Sequence, residues 1–174
     1  MKKTVLKNGI IGGLLLTLFM VVTFNTNIRD LSTPAKMAIG YLGMLVAFIF
    51  IFVGVRQYRE QNDGAISFGK AFQVGFLIML IASTFYVATW MIEQHFFIPE
   101  YFEKFTESYL TELQQGGASP TELEAARSEM AHYAELYKNP IYVALFTYME
   151  ILPVGLIMSL LAAAILRKKP VVAL

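Results

Sequence analysis

Polar and apolar residues alternate in blocks along this chain. Four long apolar runs, Gly9 to Phe24, Ala35 to Val55, Ala71 to Ile92 and Ile141 to Leu166, are separated by polar connections. A hydrocarbon layer about 30 Å thick is crossed by a helix of roughly 20 apolar residues, with roughly 17 to 25 tolerated. The last three runs meet that length easily and the first narrowly. Lipid offers no partner to an open backbone, so each run is expected to be an α-helix. The expectation is an all-α, integral membrane four-helix bundle occupying the whole chain, 1–174, as one membrane domain.

The period changes between the third and fourth runs. Phe102, Phe105, Tyr109 and Leu113 recur at helical spacing, Gly116-Gly117 breaks the pattern, and Ser119-Pro120-Thr121-Glu122 reads as a capping box with proline in the first helical position. Leu123, Ala126, Met130, Tyr133 and Tyr137 line one face of a second helix, which Asn139-Pro140 stops. Residues 93–140 are therefore expected to form an extracytoplasmic helical hairpin between helices 3 and 4. Its two narrow, Phe- and Tyr-rich faces either pack on each other or lie on the outer membrane surface. Elsewhere the connections are short. Ser32-Thr33-Pro34 and Ser67 supply candidate caps for the second and third spans, Gln61-Asn62-Asp63-Gly64 reads as a turn, and Trp90 to Pro99 forms an aromatic belt ending in a break.

Composition agrees with a membrane setting, at 56% hydrophobic and 16% charged residues. The net charge of +1 conceals a segregation. With both termini inside, nine of the 14 Lys and Arg flank the inner ends of the runs, and the other five (Arg29, Lys36, Lys104, Arg127, Lys138) lie outside. That bias sets the orientation: both termini cytoplasmic. Residues 93–140 carry nine Glu against three basic residues, an acidic solvated module on the far side. The competing reading of the first run as a cleaved signal peptide lacks a small-x-small cleavage site after Val22-Thr23-Phe24.

A Lys-rich start before a Gly-rich first span, Ser67-Phe68-Gly69-Lys70-Ala71-Phe72 entering the third, the Ile98-Pro99 break and a proline within the fourth together make a pattern. It resembles the bacterial membrane proteins grouped as domain of unknown function 4199. The resemblance covers nearly the whole chain and implies a four-helix inner-membrane protein with no assigned activity and no catalytic residues to transfer.

Candidate chemistry centres on Glu150. It stands roughly 15 Å into the fourth span, near the bilayer midplane, where an acid is costly and marks either an ion path or a structural hydrogen bond. At the same depth in the third span lie Ser83 and Tyr86, the expected hydrogen-bond partners, and Pro153 is expected to open the helix beside the acid at Met149. Glu129, His132 and Glu135 share a helical face that reads as solvated rather than metal-binding, and Glu93 with His95 reads as an interfacial anchor or a pH-sensitive pair. Gly9 and Gly13, and Gly155, Ser159 and Ala163, form small-residue stripes suited to close helix contact, the second with a partner or another copy of the chain.

With no cysteine, disulfides, thiolate catalysis and iron–sulfur clusters are excluded. No nucleophile elbow, phosphate loop, zinc-protease helix or dinucleotide fingerprint occurs, and the small basic clusters suit anionic lipid rather than nucleic acid. The expected function is a non-enzymatic accessory or scaffolding component without metal or cofactor, embedded in lipid and meeting itself or another membrane protein. The alternative is a small proton- or cation-linked carrier using Glu150.

Overall fold

A computed structural model describes residues 1–26, 31 and 33–169, all of it helices and short connections, with six α-helices and no β-strand among the described residues. They are α1 (Lys2–Asn25), α2 (Thr33–Glu60), α3 (Phe68–Ile92), α4 (Tyr101–Gln115), α5 (Pro120–Tyr137) and α6 (Pro140–Leu166), with a single π-helical turn at Glu93–Phe97 after α3. Among the described residues four segments are long and apolar enough to cross a membrane: Lys2–Phe24, Pro34–Glu60, Phe68–Phe97 and Pro140–Leu166.

Each spanning helix outruns its apolar block, because extending an existing helix adds one hydrogen bond for each residue fixed. In α1 the added turns keep Lys2, Lys3 and Lys7 exposed and bury Thr4 and Asn8. The boundaries are set by local chemistry. Ser67 accepts from the Lys70 backbone N–H to start α3, and the Asn139 side chain accepts from Ile141 N–H at 3.0 Å to start α6. The hydroxyl cap expected at Ser32-Thr33 lies outside the described residues. At the turn into α3, Asp63 and Gly64 adopt φ of 51° and 74°.

Helix α3 is packed against α1, α2 and α6, and α6 also packs on α2. Leu16, Met44, Phe48, Ile51, Ile78, Met79 and Ile151, each no more than 1% exposed, fill the space between them. Close approach depends on missing side chains. A Cβ on Gly13 would stand 2.6 Å from the Phe85 ring, and one on Gly155 would collide with Met79. Gly155, Ser159 and Ala163 are all buried within the chain. The stripe expected to meet a partner is thus consumed internally, because α3 offers Met79 and Gly75 as its complement. Hydroxyl contacts also tie the apolar helices together, Thr17 to Thr89 at 2.7 Å and Thr84 to Tyr148 at 3.0 Å.

Helices α4 and α5 form a hairpin around Gly117, whose φ of 84° suits glycine. At its second helix the capping box is complete: Ser119 Oγ accepts from Glu122 N–H, and the Glu122 carboxylate accepts from Ser119 N–H at 2.7 Å. The aromatic faces pack on each other, with Phe102 and Tyr137 rings 4.7 Å apart. They also dock on the spans: Tyr101 meets Trp90 edge-on at 4.7 Å, and Tyr137 stacks on Phe146 at 5.9 Å.

Candidate functional site

Asn139 and Pro140 start α6 and thereby set the depth at which Glu150 stands, and Thr84 bonded to Tyr148 fixes the register of α6 on α3. The buried face of α6 runs through Val143, Thr147, Ile151, Gly155 and Ser159. Glu150 stands at the edge of this face, three residues from Thr147 and seven from Val143. It is exposed, with Met149 (70% exposed) beside it and exposed Pro153 one turn on. Helix α6 continues through Pro153 to Leu166. Pro153 has no N–H to give to the Met149 carbonyl, so a backbone acceptor without its usual helical donor lies next to the acid.

Of the two expected partners, Tyr86 makes a polar side-chain contact with Glu150. Ser83 does not: it is fully buried and its hydroxyl has no hydrogen-bond partner among the described residues. The correction follows from reach and direction. Ser83 is buried and carries a short side chain, whereas Glu150 is exposed at the edge of the α6 packing face and the longer phenol of Tyr86 reaches it. Tyr101 and Tyr137 of the hairpin bring two more phenols within electrostatic reach of the carboxyl. Burial, helped by Tyr137 and then Glu150, pushes Tyr101 up to about 12, and burial followed by Glu150 raises Tyr137. The acid therefore has tyrosines of α3, α4 and α5 within electrostatic reach.

Other sequence candidates separate. Glu93 is buried while His95 is exposed against the Phe96 ring, and no ion pair joins them among the described residues. Glu129, His132 and Glu135 do not converge with a further ligand, and no group of three His, Asp or Glu able to hold a metal ion occurs among the described residues.

A second polar cluster lies outside the apolar runs. Asn8, 1% exposed, donates both to the Thr4 carbonyl at 2.8 Å and to Gln57 Oε1 at 2.9 Å, and Thr4 donates to Gln61 at 3.0 Å. Its signal was present in the chain as two polar pairs one turn apart, Thr4/Asn8 and Gln57/Gln61, facing each other across antiparallel helices. Nearby, Ile66 and Lys168 exchange backbone hydrogen bonds of 2.9 Å, and Arg59 donates to the Leu166 carbonyl. These join the α2–α3 loop to the end of α6.

A family model described as "Protein of unknown function (DUF4199)" matches residues 7–168. No curated protein and no solved structure matches the chain.

Proposed function

The chain belongs to that family, and on this premise we propose that it is a non-enzymatic accessory or scaffolding component of a bacterial inner membrane. In this reading α1, α2, α3 and α6 form a membrane bundle, both termini are cytoplasmic and the α4–α5 hairpin is extracytoplasmic. The basic residues concentrated at one end of the spans support the orientation. One observation carries the role: Glu150, the acid within a span, is exposed on the outer surface of α6 rather than enclosed between the helices. A carrier needs its ionisable group on a path closed off from lipid. A group on the outer surface is instead placed to meet another protein.

The carrier alternative draws support from Tyr86 of α3 and from Tyr101 and Tyr137 of the hairpin, whose phenols are within electrostatic reach of Glu150. Purified protein reconstituted in vesicles loaded with a pH-sensitive dye separates the two readings. Under the accessory reading, vesicles with the native chain and with Glu150→Gln leak protons at the same rate as empty ones when a pH or cation gradient is imposed. A gradient-driven flux that Glu150→Gln abolishes would remove that reading in favour of the carrier.

A further inference from the structure

We propose that the outward face of α6 around Glu150 docks a transmembrane helix of a different protein, one that carries an Arg or Lys at the depth of Glu150. The inference rests on the accessory reading and names its partner by chemistry. Along this face stand Leu145, Met149, Glu150, Pro153 and Ile157, all exposed, with the first two and the last between 51% and 70% so. The apolar members suit either lipid or a neighbouring helix. Glu150 does not suit lipid, and its depth is set by the Thr84–Tyr148 bond two residues before it.

The acceptor count defines the partner. A carboxylate has roughly four acceptor positions. Among the described residues it meets one neutral donor, the Tyr86 hydroxyl. The Met149 carbonyl, deprived of the Pro153 donor, adds a further acceptor on the same face. Two adjacent acceptors, one of them acidic, call for a side chain that is cationic and carries several N–H donors. Lys and Arg meet that requirement, and a hydroxyl or amide meets it only in part.

A second copy of the chain does not supply that cation. Helix α6 contains no Lys, Arg or His, α2 has none between Lys36 and Arg56, and α3 has none from Lys70 until the π-helical turn that bears His95. In α1 the deepest base is Lys7, which lies next to Asn8 in the polar cluster at the inner end. Copies inserted with the same orientation would meet Glu150 with apolar residues or with another Glu150. The small-residue stripe of α6 is already covered internally, so the acidic face is what α6 leaves for an outside helix.

The test uses the full chain, which has no cysteine and so takes a fluorescent donor at a single Gln114→Cys on the exposed hairpin. The probe is a Leu/Ala transmembrane peptide about 21 residues long with an acceptor dye and one central Arg, in phosphatidylcholine vesicles. Energy transfer is expected to report association about tenfold tighter for the central-Arg peptide than for an all-apolar one. Moving the Arg two turns toward either end should remove the preference. Glu150→Gln should also abolish it, and Glu150→Asp should retain part of it. Equal association of the Arg and apolar peptides, or an Arg preference that survives Glu150→Gln, overturns the proposal. So does Glu150-dependent energy transfer between donor- and acceptor-labelled copies of the chain, which would make a second copy the occupant. The depth series on the native sequence decides the matter even if Glu150→Gln fails to insert. Loss of the Arg preference with no proton flux removes this docking site alone; a Glu150-dependent flux removes the accessory reading beneath it.

Discussion

At the scale of single residues, glycine positions divide sharply by what surrounds them. Gly13 faces Phe85 so closely that any Cβ displaces the ring, whereas Gly40 has nothing within 4 Å of a built Cβ. Gly13→Ala is therefore expected to destabilise by about 1–3 kcal/mol through overpacking. Gly40→Ala is expected to be neutral or to stabilise by up to about 1 kcal/mol, since alanine propagates a helix better. Thermal unfolding of the two variants in detergent checks the contrast. Equal midpoints would mean that the α1–α3 contact is not as tight as drawn. Spacing made Gly9 and Gly13 visible as a stripe in the sequence. Gly54, packed on Ile78, stood in no such pattern, because its need arises from a neighbouring helix and not from its own.

At the scale of elements, the hairpin is held by its caps and by aromatic docking, and both respond to pH. The Ser119 backbone N–H and hydroxyl hold the Glu122 carboxyl below the ordinary range, so its capping contribution is present above the ordinary Glu value and is lost as pH falls through the lowered one. Ser119→Ala should cost about 1 kcal/mol of α5 stability at neutral pH and less in acid, read as faster hydrogen exchange in the first turn of α5. Tyr101 behaves in the opposite sense. Its ionisation is pushed up to about 12, so the docked hairpin keeps its full stability below the ordinary tyrosine value near 10 and loses it as pH rises through about 12. Trp90, the single tryptophan, touches Tyr101 and reports this directly. Its fluorescence should stay constant to about pH 10 and change above it, and Tyr101→Phe should remove the change. The hairpin was legible in the sequence because caps, glycines and helical spacing are local signals. Its docking was not: Tyr101 reaches Trp90, and Tyr137 reaches Phe146, across contacts that no spacing rule encodes.

At the scale of the whole molecule, the proposed topology is testable without knowledge of activity. Reporter fusions after Lys169 and within the turn at Gly116-Gly117 should give opposite signals, cytoplasmic for the first and extracytoplasmic for the second. Matching signals at the two sites would overturn the inside–outside assignment. What the sequence by itself determined is the number of the apolar helices, the caps at Ser67 and Ser119, and the hairpin turn. Each of these depends on hydropathy summed along the chain or on a hydrogen bond to a residue two or three positions away. What only the tertiary structure decided is which side of each helix faces inward. Lipid rewards no side of an apolar helix over another, so the choice falls to the fit of side chains between helices. That fit buries Ser83 and the Gly155 stripe, draws Asn8 against Gln57, and leaves Glu150 exposed beside Tyr86.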